Sequence, residues 1–126
     1  MPAYPQAVLS ISPGDFVTVW NAETPTAGAG GASASQQLSL APQAADSGKL
    51  HFHGQFSGAP GAFEVDCQAA DVDSDTSYQT LSNGNITSVD ATNNTFHFEV
   101  VCTAKFARML MRSRTNAVSI TATIGC

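Results

Sequence analysis

His51 and His53 are two positions apart in an alternating run, so both imidazoles project from the same side of an extended chain, as two metal ligands on one strand would. An acidic ligand a few residues on would extend the set, but Ser57 and Gly58 stand there, and His97 is the only other histidine. The pair therefore reads as ordinary exposed strand histidines, and no metal is expected. Asp71, Asp73 and Asp75 resemble the opening of a calcium loop. The helix-loop-helix version requires Gly at its sixth position and Glu at its twelfth, where this chain has Thr76 and Ser82. A looser carboxylate site stays open beside the ordinary reading of a solvated acidic loop.

Cys67 and Cys102 fall on apolar sides of alternating runs and read as small buried hydrophobes; whether they pair is open. Cys126 is the last residue given, and the odd count of three argues against a disulfide framework. Gly28 to Gly31 lacks the strand-loop-helix setting of a phosphate loop. Spacing yields no Ser-His-Asp or Cys-His-Asn set. The expectation is a protein that is not an enzyme, with no catalytic residue and no cofactor.

The elements that must position these residues are strands. Ala62 to Ala69 is the clearest: Phe63, Val65, Cys67 and Ala69 fall on one side, with Glu64, Asp66 and Gln68 on the other. The alternation recurs at 48–56, with Leu50, Phe52 and Phe56 inward, at 95–104 and at 117–124. Gln6 to Ile11 and Phe16 to Trp20 read as strands joined across Ser12-Pro-Gly-Asp15, in a candidate hairpin. A weak strand spans 35–40. Ser82-Asn-Gly-Asn85 reads as a hairpin turn of the Asn-Gly kind between short strands at 78–81 and 86–89, and 90–94 is a further turn. Residues 104–114 carry helix formers but are short, lack a cap and lie between strands, so 106–112 too reads as a strand. Many short strands separated by Gly, Pro and Asn turns predict an all-β, antiparallel two-sheet β-sandwich of the jelly-roll kind. The 126 residues suffice for one domain. Residues 21–35 are Ala, Gly, Ser, Thr and Pro with a single charge, and read as a flexible loop or arm.

The net charge is −5 with only five Lys plus Arg, too few for the basic stripe that nucleic acid requires. No apolar run reaches the ~20 residues of a membrane helix. Met-Pro-Ala-Tyr-Pro shows no signal-peptide pattern, so synthesis in a cytoplasm is expected. Charged residues make up 12% of the chain against roughly 25% in ordinary domains, which leaves a surface of Ser, Thr, Asn, Gln and Gly.

One strand has two apolar faces: Phe106, Arg108, Leu110 and Arg112 on one side, Ala107, Met109 and Met111 on the other. One face must meet the core. The other needs a cover, from a loop of the same chain or from a second copy. Arg, Met and aromatic residues are enriched at interfaces. Phe106, Arg108, Met109, Leu110 and Arg112 are thus the candidate interface of a homo-oligomer.

The stretches Phe56-Ser-Gly-Ala-Pro-Gly-Ala-Phe-Glu-Val-Asp-Cys-Gln-Ala-Ala-Asp-Val-Asp73 and Phe106-Ala-Arg-Met-Leu-Met-Arg-Ser-Arg-Thr-Asn-Ala-Val-Ser-Ile-Thr-Ala-Thr-Ile124 resemble small virion structural proteins of tailed bacteriophages and prophages, of the jelly-roll or Ig-like kind used for head decoration or as tail accessories. The likeness consists of strand-and-turn patterns, so it transfers no site residue. It implies a virion component, made in the host cytoplasm, whose partners are its own copies and other particle proteins. A carbohydrate-binding sandwich module is the alternative, for which Trp20, Tyr4 and Tyr78 are the only Trp and Tyr on offer as stacking platforms.

Overall fold

The structure, a computed structural model, describes residues 6–11, 16–28, 31–33, 35–38, 49–72, 74–101 and 104–125. Among them are nine strands and no helix: β1 (Gln6–Ile11), β2 (Phe16–Glu23), β3 (Ser35–Leu38), β4 (Lys49–Phe56), β5 (Phe63–Ala70), β6 (Gln79–Ile86), β7 (Thr95–Val101), β8 (Phe106–Arg114) and β9 (Ile120–Gly125). They form a β-sandwich, with one sheet in the order β1-β3-β8-β5-β6 and the other β2-β9-β4-β7. All pairings are antiparallel except β1 with β3, which is parallel. β1 and β2 therefore do not form the expected hairpin; they lie in different sheets, and β2 pairs with β9. Four of the antiparallel pairs are nested, β2 with β9, β3 with β8, β4 with β7, and β5 with β6, and the pairs β4–β9 and β5–β8 join them into the two sheets.

Alternation decides what is buried. Leu50, Phe52 and Phe56 of β4, Phe63, Val65 and Cys67 of β5, Ala107, Met109 and Met111 of β8, and Ile120, Ala122 and Ile124 of β9 fill the space between the sheets. β2 breaks the alternation, since Val19 and Trp20 are adjacent and both buried. The register explains this: Thr18 faces Thr123 and Trp20 faces Ala122, so Val19 is an extra residue in a bulge. Gly54 sits opposite Phe96, and a Cβ there would fall 2.3 Å from the ring. The glycine makes room for the aromatic side chain of the neighbouring strand.

Asn83-Gly84 is not a hairpin turn. β6 runs through it as one strand, with Asn83 in the left-handed region (φ 62°). Pairing with β5 jumps from Asp66–Asn85 to Gln68–Thr80, so residues 81–84 bulge opposite Cys67 alone. Asn tolerates positive φ whether it turns a chain or kinks one, and its local signal does not distinguish the two.

The segment expected to be a free arm departs from that reading over its described residues. Residues 21–23 extend β2. Gly28 N–H donates to the Met111 carbonyl at 2.9 Å, Met111 N–H to Gly31 at 2.9 Å, and Ser33 N–H to Met109 at 2.8 Å, while Ala32 bridges Leu110. The stretch continues β3 along the edge of β8. Its small side chains permit this, because a Cβ on Gly31 would meet the Thr26 and Met111 carbonyls at 2.4 and 2.6 Å.

Candidate functional site

Two surfaces carry the residues singled out from the sequence. The first is the outward face of β5 and β8. β8 is the middle strand of its sheet, flanked by β5 on one edge and by β3 and residues 31–33 on the other, so among the described residues both of its edges are paired over 106–111. Its inward face is Ala107, Met109 and Met111, each fully buried. Met109 was expected at an interface, but it points into the core because the strand's period assigns it there. On the outward face, Phe106 and Leu110 are only partly buried and pack against Ala32, Ala70 and Tyr78. The cover for these two comes from the same chain.

Arg108 is also interior, with 5% of its surface exposed. Its Nε donates to Gln68 at 2.9 Å, its Nη1 meets Asp75 at 2.8 Å, and its guanidinium stacks 4.1 Å above the Tyr78 ring. Asp75 thus neutralises an arginine, whereas the sequence offered it only as a loop carboxylate. Asp73 lies outside the described residues. Asp66, expected on the solvent side of β5, is buried. It accepts from Arg112 Nε at 2.6 Å and from Asn85 Nδ2 at 2.6 Å, and pairs with Arg112 Nη2 as well. A bulge on β8 between Ser113 and Met111 leaves Arg112 unpaired in the ladder and next to this carboxylate. The hydrogen bond to Asp66 first, and its charge second, push the Arg112 guanidinium further above its ordinary pKa. Arg114 donates to the Pro25 carbonyl at 2.8 Å.

Cys67 is a free, buried thiol, as its period suggested. Burial, and then the charge of Asp66, push its pKa far above the ordinary value. Such a thiol is inert at neutral pH. Cys102 and Cys126 lie outside the described residues.

The second surface is the outward face of β4 and β7, where all three histidines of the chain meet. His51 faces Glu99 directly across the strands, and His53 faces His97. His51 Nδ1 lies 3.0 Å, and His97 Nε2 3.5 Å, from the same oxygen, Oε2 of Glu99. The His97 ring is 5.7 Å from that of His51 and 6.1 Å from that of His53. One ligand atom each from His51, His97 and Glu99 fall within 4.8 Å of one another, so this trio is within reach of a single ion. The carboxylate sought downstream of the histidine pair is supplied instead by β7, 46 residues beyond His53. Only the cross-strand register reveals it, and no local signal could have.

Comparison with protein-family models, with curated proteins and with solved structures returns no match to this chain.

Proposed function

We propose that this chain is a non-enzymatic structural subunit of a virus particle, of the kind carried by tailed phages, acting by binding its own copies and other particle proteins. The observation that carries the reading is the nested pairing of β2 with β9, β3 with β8, β4 with β7 and β5 with β6. We read it as a jelly roll, an architecture that viral capsid domains share with lectins and cupins. The low charge supports it, as do Phe16, Val72 and Val101, large apolar side chains that are 61–68% exposed. For the contact surface, Phe106, Leu110 and Arg112 remain candidates, while the buried Met109 and Arg108 act from beneath.

Nucleic acid is not assigned as a partner, and neither is a membrane. Arg108, Arg112 and Arg114 are engaged by Asp75, Asp66 and the Pro25 carbonyl, which removes three of the five basic residues from phosphate binding. A carbohydrate-binding module is less well supported, because Trp20 and Tyr78 are buried and offer no stacking platform, while Tyr4 lies outside the described residues.

The test is to purify particles from the producing host and quantify the protein in them by mass spectrometry, with light scattering on the isolated chain. Stoichiometric incorporation and an oligomeric mass are expected. Particles without the protein, or a monomer that binds polysaccharide with micromolar affinity, would replace this reading with the binding-module one.

A further inference from the structure

We infer that His51, His97 and Glu99 form a surface binding site for a divalent first-row transition ion, Zn2+ foremost, which ties edge strand β7 to β4. This does not depend on what the protein assembles into.

The donor set selects the class of ion. Two imidazoles and one carboxylate suit zinc and its neighbours, whereas Ca2+ and Mg2+ take oxygen ligands. The spacing fits as well. Ligand atoms about 2.0–2.1 Å from a tetrahedral ion lie roughly 3.3–3.4 Å from one another. The two His–Glu separations here are 3.0 and 3.5 Å, and all three ligand atoms lie within 4.8 Å of one another, so rotation of the exposed side chains would bring the imidazoles to the ion. Three protein ligands leave a fourth position for water.

Placement gives the site a consequence. Among the described residues, β7 is the outermost strand of the sheet β2-β9-β4-β7 and is paired along one side only, by β4. His51 comes from β4, while His97 and Glu99 come from β7. An ion bridging them cross-links the two strands in the native pairing, and the unfolded chain does not hold the three ligands together. Binding therefore stabilises the folded state. All three side chains stand on the solvent face, with His51 the least exposed at 32%. An ion can enter without opening the sandwich, and removing a ligand leaves the core intact.

His53 provides the internal control. It faces His97 across the ladder but lies outside the trio. The experiment is calorimetric titration of the tag-free full chain with ZnCl2 after alkylation of its reactive thiols, alongside thermal melts and amide exchange. One equivalent should bind with a dissociation constant near or below about 10 µM, raising Tm and slowing exchange along β7. His51→Ala, His97→Ala and Glu99→Gln should each weaken binding at least tenfold while keeping the wild-type circular dichroism spectrum. His53→Ala should change it less than about threefold. The inference is overturned if binding does not saturate, if His53→Ala costs as much as His97→Ala, or if Zn2+ binds equally well to the His51/His97 double variant.

Discussion

Asp66 and Arg112 form an asymmetric pair: the carboxylate is 1% exposed, while the arginine side chain that reaches it is 51% exposed. Removing Arg112 leaves a buried charge supported by Asn85, whereas removing the charge of Asp66 leaves an arginine able to turn into water. Breaking a buried pair costs about 3–5 kcal/mol when the remaining charge is buried, and about 1–3 kcal/mol when a hydrogen-bonding group loses its partner. Arg112→Met should therefore destabilise the fold more than Asp66→Asn. Urea denaturation of the two variants measures the order, and equal losses would refute the asymmetry.

Gly31 should tolerate no side chain. A Cβ there meets two backbone carbonyls that cannot rotate away. Gly31→Ala is expected to lower stability by roughly 1–3 kcal/mol, the usual range for overpacking. Deleting residues 24–34 should also lower Tm clearly, because the deletion removes the hydrogen bonds to Met109 and Met111 and uncovers Leu110. An unchanged Tm on deletion would show that these residues act as a free arm.

Gly54 and Phe96 should be coupled. Gly54→Ala drives a methyl group into the ring of a buried phenylalanine. The single variant should lose on the order of 1–3 kcal/mol. Combining it with Phe96→Val should recover part of the loss relative to the sum of the two single variants. A double-mutant cycle with no interaction energy would count against direct contact.

The Cys67 thiol carries a signed pH dependence. Its folded-state pKa is raised above the ordinary 9.0 by burial and by Asp66. The unfolded thiol ionises as pH passes 9 while the folded one stays protonated. The unfolded state then binds fewer protons, and stability falls as pH rises above that point. Below it the contribution is fully present. Cys67→Ala should lose less stability than wild type between pH 8 and 10, measured as the difference in urea midpoint, and native Cys67 should resist alkylation at pH 8.

Much of the sandwich was legible because one face of most strands is buried. Leu50, Phe52, Phe56, Phe63, Val65 and Cys67 follow period two and lie where that period puts them. The outer face of β5 is not legible in this way, because its polar residues are not exposed. Asp66 and Gln68 are buried by side chains from β6 and β8, 19 to 46 residues away. A single-strand pattern carries no information about such partners. The Asn83-Gly84 bulge and the pinning of residues 31–33 were lost for the same reason, since each depends on a neighbouring strand. The histidine site was half legible: the 51/53 pair is local, whereas Glu99 and His97 arrive only through strand register.

The nested pairing has a kinetic consequence. Ala69 and Gln79, at its inner end, meet across a short loop, whereas Trp20 and Ala122, at its outer end, meet across about a hundred residues. Closing the outer pair first would cost about 2 kcal/mol more chain entropy than closing a loop as short as the inner one, a cost that falls once β5–β6 and β4–β7 have drawn its ends together. Folding is therefore expected to proceed outward from the β5–β6 loop, slowly, as suits a fold dominated by distant contacts. Substitutions in β2 and β9, Trp20 and Ile124 among them, would then act mainly on the unfolding rate, and those in β5, such as Val65, on the folding rate. Until β2 and β9 arrive, β4 lacks its β9 neighbour and the apolar residues of the first-formed strand pairs are less well covered. In a crowded cell, that interval is when this chain is most exposed to aggregation or to a chaperone.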